Sequence, residues 1–372
     1  MSTSTETKEL QTVMHSIIQR IATGPELSKD ISQEEARIGM QAVLEGAVDP
    51  VQAAIFFIAL RMKRETDDEN KGILDAILAS TESITADVDE VVYLVDPYNG
   101  YNRSLPPSPF LPAVLAECEV PTISHGVATV GPKYGITHST VLKALDINVT
   151  ASTQQANERL ADPAVGWSYL DQSILNPKLH GLLDLRKKMV KRQVITTTEV
   201  LVRPISGRSK THLVTGYVHK PYPPKYAALA KHAGFNSNLL IRGVEGGVIP
   251  SLRQAGKSFF YYDMGELQEL DSNPAEIGIE QSVRITPLPE ELPGISTPGD
   301  EIALAVDVEK SSQRAAEAGV AALEGEKGST YDALVYSGAL ILLHVGKAGS
   351  LAEGAEQVRA VLDSGKAKAR LC

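Results

Sequence analysis

The sequence has 372 residues, of which 43% are hydrophobic and 22% are charged, a balance typical of a folded globular protein and not of a disordered chain. This length exceeds one ordinary hydrophobic core and favours two domains. The formal net charge of -10 disfavours nonspecific binding to phosphate backbones, although it does not exclude a local basic groove.

The start of the chain and its cysteines indicate a soluble, cytoplasmic protein. The N-terminus MSTSTETKEL lacks the basic start and apolar segment of a secretion signal, and no apolar run reaches the roughly 20 residues of a membrane span. Cys118 and Cys372 are far apart in the sequence, so neither a disulfide framework nor a thiolate metal site is expected.

Residues 1–85 are predicted to form a small all-α domain. The segments AAIFFIALRM and KGILDAILAS are nearly continuously apolar, which predicts buried helices, and the amphipathic run LQTVMHSIIQRIA precedes them. At three predicted helix starts, a short polar side chain and a residue three positions later have the spacing of a capping pair. These pairs are Ser32 with Glu35, Asp49 with Gln52, and Thr66 with Glu69.

From about Val88 the sequence has the alternating pattern of an α/β domain. The apolar runs EVVYLV, VPTIS, SNLLIRG and KSFFYYDM alternate with the helical stretches PAVLAEC, STVLKALD and PKYAALAKHAG. This order predicts a central, mostly parallel sheet with flanking helices, and residues 311–365 are predicted to add three more helices. The proline-rich stretch 285–300 is interpreted as an ordered connector.

Four stretches of the sequence together resemble the anthranilate phosphoribosyltransferase family, in the order and spacing of that family over almost the whole chain. They are SQEEARIGMQAVLEGAVDPVQAAIFFIALRMKRET, SHGVATVGPKYGITHSTVLKALDINV, LNPKLHGLLDLRKKMVKRQ and GKAGSLAEGAEQVRAVLDSGKA. The chain looks like a divergent member, similar to a second branch of the family that is known for a basic interdomain groove.

The resemblance implies two domains with a ligand cleft between them. The small helical domain would comprise residues 1–85 and a returning segment at about 166–200, and the large α/β domain residues 86–165 and 201–372. The resemblance also implies a homodimer formed through the helical domain. The apolar residues of AAIFFIALRM agree with that interface, but burial within their own domain explains them equally well.

The resemblance places an altered phosphate loop after the first strand. Active members have a GTGGD turn there, because glycines let backbone amides approach phosphate oxygens, and the matching residues are Asp96, Pro97, Tyr98, Asn99 and Gly100. Asn99 and Gly100 are candidate ligand contacts, whereas an acidic side chain and a proline are poor partners for a diphosphate. Tyr98 and Tyr101 are candidates for stacking on a base or ring.

Further candidates match other phosphate and ribose motifs of the family. Ser108 takes the place of a serine that helps to hold magnesium, and His125 and Gly126 match a His-Gly pair whose neighbouring Lys, Asn and Arg are replaced here. Lys133 and Gly135 follow. Lys133 and Arg103 can restore positive charge to the site, or they can both be solvated loop charges.

The magnesium motif of the family is also changed. Its Asp-Glu pair falls on Val248 and Ile249, and hard carboxylate oxygens are what magnesium requires. Arg242, Gly243 and Glu245 in the preceding turn are candidate ligand-binding residues, and Glu245 is the single carboxylate left nearby. No metal ligands and no catalytic residues are assigned, and Mg²⁺ is expected only if phosphoribosyl diphosphate binds.

Arg186 and Arg192 match two arginines of the family, the first of which holds the carboxylate of anthranilate. A guanidinium group can bind a carboxylate or a phosphate with two parallel hydrogen bonds. Both residues belong to the run RKKMVKR, however, which is equally explained as a basic, solvent-exposed helix face.

Three functions are compared on this basis. The preferred one is a divergent anthranilate phosphoribosyltransferase-like protein that binds a phosphorylated sugar or nucleotide-like ligand in the cleft and, if active, transfers a phosphoribosyl group; authentic anthranilate phosphoribosyltransferase activity is not expected. The alternative is a non-catalytic nucleic-acid-binding protein with a basic interdomain groove. That groove would be formed by Arg103, Lys133, Arg186, Lys187, Lys188, Lys191 and Arg192. The third function is a purely structural or partner-binding role.

Overall fold

The computed structural model describes residues 2–24, 26–292, 295–296 and 304–371. Its helices are α1 (Ser2–Ile21), α2 (Gln33–Leu44), α3 (Pro50–Lys63), α4 (Asp67–Ala79), α5 (Leu111–Glu117), α6 (His138–Lys143), α7 (Thr153–Ala161), α8 (Gln172–Leu175), α9 (Pro177–His180), α10 (Leu183–Met189), α11 (Ile195–Thr198), α12 (Tyr222–His232), α13 (Val308–Leu323), α14 (Ser329–His344), α15 (Leu351–Asp363) and α16 (Lys366–Ala369). Its strands are β1 (Ile84–Thr85), β2 (Glu90–Val95), β3 (Thr122–Gly126), β4 (Trp167–Asp171), β5 (Ile205–Ser206), β6 (Lys210–Tyr217), β7 (Ser237–Arg242), β8 (Gly256–Tyr261), β9 (Gln268–Ser272), β10 (Ile295–Ser296) and β11 (Leu304–Ala305).

The N-terminal helices begin where their sequence caps predict. Ser32 and Thr66 form complete capping boxes, in which the Glu three positions later returns a hydrogen bond to the cap amide. Asp49 instead caps α3 by accepting a hydrogen bond from the amide of Val51 at 2.8 Å, without a reciprocal hydrogen bond from Gln52. The predicted helical N-terminal domain is confirmed.

Close packing of α2 against α4 gives this domain its centre. A Cβ atom at Gly72 of α4 would lie 2.1 Å from the carbonyl oxygen of Gln33, so only glycine permits this approach. The apolar residues of α3 are divided: Phe56, Phe57 and Leu60 are fully buried, whereas Val51 is 66% exposed. Helix α3 therefore presents an apolar face outward as well as inward.

Seven strands form one sheet within the described residues, in the order β4-β3-β2-β6-β7-β8-β9. The first five in this order pair in parallel, and β8 and β9 join antiparallel. The sheet is therefore mostly parallel with flanking helices, as predicted. The sequence patterns indicated β2, β3, β7 and β8 but not β4, β6 or β9.

The segment that follows β4 returns to the helical domain. Leu175, Leu179 and Ile195 share one apolar core with residues of α1–α4. The side-chain amide of Asn176 donates to Ser80 and Thr81, at 2.9 Å each, just beyond the end of α4. Trp167–Asp171 pairs with β3 as an edge strand of the sheet, so the residues described here that contact the helical domain follow residue 171.

Two expectations fall partly or wholly on residues that lie outside the described part of the chain. These are residues 293–294 and 297–300 of the predicted connector, and Cys372. Among the described helices, none is both long and apolar enough to cross a membrane. The three predicted C-terminal helices are present as α13, α14 and α15.

Candidate functional site

A cleft of about 320 Å³ opens where β2, β6 and β7 end, between the sheet and the helical bundle. Parallel sheets present their ligand sites at the carboxyl ends of the strands, because the loops there project beyond the sheet. Its walls include Arg61 of α3, residues 97–99, 102 and 103 after β2, residues 192, 196, 197 and 200, residues 215–219 at the end of β6, and residues 245–246 in the turn after β7.

The described residues that line the cleft include four basic side chains and one acidic side chain. The basic ones are Arg61, Arg103, Lys133 and Arg192, and the acidic one is Glu245. Arg61 donates to the carboxylate of Glu65 and to the hydroxyl of Tyr222, both at 3.0 Å. The cleft is therefore electropositive although the whole chain is acidic.

Arg192 has no hydrogen bond or ion pair with any residue that the structure describes. Its side chain reaches solvent, yet the cleft walls remove part of its hydration, and this lowers its pKa, as does the charge of Arg61. The positive charges of Arg61 and Arg192 therefore repel each other at the cleft. An anionic ligand bound between them would offset this repulsion.

Two polar side-chain atoms in the cleft wall lack a partner among the described residues. Asn99 is 3% exposed, and its side-chain oxygen accepts no hydrogen bond from the described residues. The hydroxyl oxygen of Thr196 is also buried and also has no hydrogen-bond partner among them. A buried polar atom without a partner costs free energy, so these groups favour a ligand that carries hydroxyl or amide donors.

Aromatic rings also line the cleft, next to Arg61. Tyr222 and Tyr226 of α12 lie with their ring centroids 5.9 Å apart, and His219 packs 6.2 Å from Tyr222. Of the two tyrosines predicted to stack on a ligand, Tyr98 lines the cleft while Tyr101 is 1% exposed and lies in the core.

The carboxylate of Glu245 accepts four hydrogen bonds from the described residues at the edge of the cleft. One oxygen accepts from the Arg103 amide at 3.0 Å and the Ser104 hydroxyl at 2.8 Å. The other accepts from the Asn102 amide and the Lys133 ammonium group, both at 3.1 Å. Lys133 is therefore next to an acidic partner and does not contribute an unopposed positive charge.

Backbone geometry holds this part of the site in place. Gly100 has a φ of 72°, and Gly135 lies so close to the facing loop that a Cβ atom would be 2.3 Å from the carbonyl oxygen of Tyr101. Tyr101 and Ile136 exchange two backbone hydrogen bonds, at 2.9 and 2.7 Å. These contacts explain two of the predicted site glycines as positions where the chain approaches itself.

A buried polar network lies beneath the cleft. Asp96 accepts hydrogen bonds from the Ser108 hydroxyl and from the amide of Val248, the latter at 2.9 Å, and lies 3.1 Å from Nε2 of His138. Burial opposes the ionisation of Asp96, but the hydrogen bond and charge of His138 and the other two donors outweigh it and lower the pKa of this carboxyl group. Ser108 and Asp96 are thus buried and hydrogen-bonded to each other, and neither side chain is exposed to a ligand in the cleft.

His125 belongs to the same buried layer. It is 3% exposed, its Nδ1 lies 2.5 Å from the Tyr98 hydroxyl, and its Nε2 has no partner among the described residues. Burial, with a smaller contribution from His138, lowers the pKa of His125 to about 3, so the ring is neutral at pH 7. Gly126 follows it, where an added Cβ would meet the hydroxyl of Tyr169 at 3.4 Å.

Three further predicted site residues, in addition to Gly100, Ser108, His125, Gly126 and Gly135, do not line the cleft. Arg186 is 2% exposed and forms two hydrogen bonds with the carboxylate of Glu199, at 2.6 and 2.7 Å. Arg242 ends β7 as an exposed residue, and Gly243 begins the tight turn after it. The structure therefore brings Asn99, Arg103, Lys133, Arg192 and Glu245 together in the cleft, and places the other candidates beneath it or outside it.

The predicted basic groove is not one continuous surface. Arg186 and Lys133 each bind a carboxylate, and Lys188 lines a separate apolar groove beside α3. Sequence patterns missed Arg61, Thr196 and Tyr226, because α3, α11 and α12 each bring one of them to the cleft from a distant part of the chain. Arg61 lies in the helical stretch AAIFFIALRM and Tyr226 in PKYAALAKHAG, but neither pattern marks its residue as part of a cleft.

The residues at the cleft do not fit a resident magnesium ion. Glu245 is the only carboxylate among its described lining residues, and both of its oxygens are already engaged by donors. Val248 and Ile249 are fully buried and present no oxygen ligand from their side chains. In the part of the chain that the structure describes, no group of three or more His, Cys, Asp or Glu residues could hold a metal ion.

Comparisons with known proteins agree with this architecture. Residues 15–81 match the model of the glycosyl transferase family, helical bundle domain. The crystal structure of anthranilate phosphoribosyltransferase from Thermus thermophilus superposes with a TM-score of 0.72 at 20% identity and covers 96% of this chain and 97% of that one. The Saccharomyces cerevisiae enzyme in complex with PRPP and Mg gives a TM-score of 0.73 at 14% identity, covering 97% and 96%.

Sequence relatives extend over the whole chain. Anthranilate phosphoribosyltransferase of Paramagnetospirillum magneticum is 28% identical over 378 aligned positions, covering 100% of this chain and 97% of that protein, and that of Novosphingobium aromaticivorans is 26% identical, covering 93% and 96%. An uncharacterised protein of Aquifex aeolicus is 29% identical over 225 residues, which cover 60% of this chain and 65% of that protein.

The helical bundle, the mostly parallel sheet and the cleft between them define a phosphoribosyltransferase-like protein of the glycosyltransferase class. The full-length matches narrow this class further. Over almost its whole length the chain is similar to anthranilate phosphoribosyltransferases, and it shares their fold.

Proposed function

We propose that this protein binds a phosphorylated sugar or nucleotide-like ligand in the cleft, with the anionic group beside Arg61 and Arg192. The observation that carries this proposal is the absence of a partner for Arg192 among the described residues, although it stands next to a second guanidinium group. The relative from Saccharomyces cerevisiae was crystallised with PRPP and Mg, which supports a phosphorylated ligand of this class.

The remaining wall supports a sugar or a ring beside that anion. The unpartnered oxygens of Asn99 and Thr196 can accept hydrogen bonds from ligand hydroxyl or amide groups. Tyr222 and Tyr226 provide an apolar surface for a ring, and their hydroxyl groups add polar contacts at its edge.

If the protein is active, we propose that it transfers a phosphoribosyl group, and that it is a divergent member whose usual diphosphate and magnesium motifs are degraded. Such a transfer depends on stabilising the leaving diphosphate. The positions of the magnesium-binding pair are Val248 and Ile249, and the donors around Glu245 already hold a carboxylate. We therefore expect binding without anthranilate phosphoribosyltransferase turnover.

Calorimetry with ribose 5-phosphate tests the binding proposal. Loss of a charge-assisted contact is worth about 1.5–3 kcal/mol, so Arg192→Ala should weaken binding by roughly 10- to 100-fold. Lys187→Ala, a change of an exposed cation outside the cleft lining, should leave the affinity within about twofold of wild type.

An oligonucleotide titration in the same buffers separates this proposal from the alternative. No binding of ribose 5-phosphate, together with tight and steeply salt-dependent binding of an oligonucleotide, would replace the proposed ligand with nucleic acid. If Lys187→Ala weakened binding as much as Arg192→Ala, the contact would be the exposed basic surface and not the cleft.

We also propose that the chain forms a homodimer through the helical domain. An apolar groove of about 470 Å³ runs between α3 and α10 and is lined by Pro50, Val51, Ala54, Ile55, Ile58, Leu185, Lys188 and Met189. An exposed apolar surface of this kind favours association, since covering it removes apolar area from water.

A further inference from the structure

The Glu245 carboxylate occupies a ready-made anion site. Two consecutive backbone amides, one hydroxyl and one ammonium group converge on it at 2.8–3.1 Å. Donors arranged in this way bind the oxygens of phosphate as well as those of carboxylate, because both are anionic acceptors with several lone pairs. The chain therefore fills with its own side chain a site that suits a ligand phosphate.

Backbone geometry fixes Glu245 in this position. Its φ of 54° and ψ of 11° lie in the left-handed region, which non-glycine residues seldom adopt. The turn around it is tight, since a Cβ atom at Gly243 would lie 1.6 Å from the carbonyl oxygen of Gly247. Such a conformation persists only where the surrounding contacts hold it, so the position of the carboxylate is part of the fold.

The same carboxylate lines the cleft that contains Arg61 and Arg192. Its side chain is 8% exposed and that of Lys133 is 10% exposed, so little water screens the charges at this edge. Burial is the largest influence on the pKa of Lys133 and lowers it, and the Glu245 carboxylate offsets only part of that effect. A second ligand phosphate there would meet the Glu245 carboxylate, to which these four donors already donate hydrogen bonds.

We propose that Glu245 is a specificity-determining residue that takes the place of a second phosphate, so that the cleft accepts a monophosphate and discriminates against a diphosphate. This inference rests on the proposed function, because it assigns the ligand's one phosphate to Arg61 and Arg192. It also explains why the cleft has few donors for a diphosphate: the donors exist, but the protein's own carboxylate occupies them.

Calorimetry on the purified full-length protein, with divalent cations chelated, tests this inference. The probes are ribose 5-phosphate, phosphoribosyl diphosphate and inorganic pyrophosphate. Wild type should bind ribose 5-phosphate at least about 10-fold more tightly than phosphoribosyl diphosphate, since like charges at short range and low exposure repel strongly. Glu245→Gly removes the carboxylate and suits the left-handed backbone, so this variant should fold.

In Glu245→Gly the emptied site should bind pyrophosphate at least about 10-fold more tightly than wild type does, because the donors of residues 102–104 and 133 are released. Adding Lys133→Met to that variant should cancel the gain. Glu266→Gln, which removes an exposed carboxylate outside the cleft lining, is the matched control and should leave all three affinities unchanged. Thermal unfolding of each variant verifies that it is folded.

The outcomes separate this inference from the proposed function. Equal affinity of wild type for the monophosphate and the diphosphate, or no gain for pyrophosphate in Glu245→Gly, overturns the role of Glu245 whatever the cleft binds. Failure of wild type to bind ribose 5-phosphate overturns the proposed function. Even if wild type does not bind ribose 5-phosphate, the role of Glu245 can still be supported. The supporting result is a higher affinity of Glu245→Gly for pyrophosphate that is lost when Lys133→Met is added.

Discussion

Arg186 and Glu199 form an ion pair that is almost fully excluded from water, with side-chain exposures of 1% and 0%. Removing one partner of such a pair leaves a buried charge uncompensated and costs about 3–5 kcal/mol. We therefore expect Arg186→Met to lower the free energy of unfolding by that amount in urea titrations. Lys187→Met, a change of the exposed neighbour, should alter it by less than about 0.5 kcal/mol.

Replacing both partners tests the cause of that loss. Arg186→Met combined with Glu199→Leu removes both charges, so it should recover most of the stability that the single variant loses. A double variant as unstable as the single one would mean that side-chain packing, and not the unpaired carboxylate, explains the result.

The resemblance predicted Arg186 as a ligand contact. In the structure its guanidinium group forms two hydrogen bonds with the carboxylate of Glu199 in the same chain. The alternative of an exposed basic face describes Lys187 and Lys188 correctly. A charged run does not reveal which member turns inward, because that depends on where the folded segment places an acidic residue.

A second residue-scale prediction concerns the buried imidazole of His344. The ring is 5% exposed, stacks on Tyr262 with centroids 4.9 Å apart, and its Nε2 lies 2.9 Å from the hydroxyl of Ser237. Burial, followed by the charge of His212, lowers the pKa of His344 from 6.5 to about 3. The folded protein therefore binds this proton less readily than the unfolded chain does.

The sign of the resulting pH dependence follows from that difference. The stabilising contribution is complete above the unfolded pKa of 6.5 and is lost as the pH falls through that value toward 3. We expect the free energy of unfolding of wild type to fall across this range by an amount on the order of a few kcal/mol. Its melting temperature should fall with it. His344→Phe keeps a ring but cannot titrate, so its melting temperature should fall less steeply; equal slopes would contradict the assignment.

At the scale of elements, two loops approach each other closely at Gly135, beside the cleft. A Cβ atom there would lie 2.3 Å from the carbonyl oxygen of Tyr101, a backbone atom that cannot rotate away. Gly135→Ala should therefore cost about 1–3 kcal/mol, the usual range for overpacking. Gly256→Ala is the control, because a Cβ atom at Gly256 meets nothing within 4 Å.

Thermal unfolding of the two glycine variants measures this difference. The same variants can be titrated with ribose 5-phosphate, because Asn99 and Arg103 lie on the loop that Gly135 supports. We expect weaker binding for Gly135→Ala only. A Gly135→Ala protein with wild-type stability and affinity would show that the loops separate without cost.

Helices were more predictable than strands, for reasons that particular residues show. The capping residues Ser32 and Thr66 act within a few residues of sequence, so their pattern is complete in the chain itself. Strand β6 lies in the middle of the sheet but carries His212 and Thr215, whose polar groups are satisfied by Ser237 and by the carbonyl of Val95 on neighbouring strands. A local hydrophobic pattern cannot anticipate such partners.

At the scale of the whole molecule, the cleft is assembled from parts that meet only in the folded protein. The resemblance to a family placed the cleft between the helical and α/β parts, and it supplied Asn99, Arg103 and Lys133 as candidates near the phosphate loop. It did not supply Arg61, which reaches the cleft from α3 in the helical domain. The site therefore depends on how the helical part packs against the sheet.

The apolar groove between α3 and α10 predicts that the chain associates with a second copy of itself. Val51 is 66% exposed on the apolar groove between α3 and α10, so a charge at this position leaves the fold of one chain undisturbed. Light scattering after gel filtration should give wild type twice the 39.9 kDa mass of one chain and should give Val51→Glu the mass of one chain. The new carboxylate would have to lose its water in the interface, and this cost opposes association.

Leu27→Glu provides the matched control, since Leu27 is 68% exposed and lies outside the groove. Because both substitutions replace an exposed aliphatic side chain with a carboxylate, a difference between them reports the location of the interface. Association that is lost in Val51→Glu and kept in Leu27→Glu assigns the interface to the α3 and α10 groove. A wild-type mass of one chain at micromolar concentration, or a Val51→Glu protein that still pairs, would instead leave this apolar surface uncovered in solution.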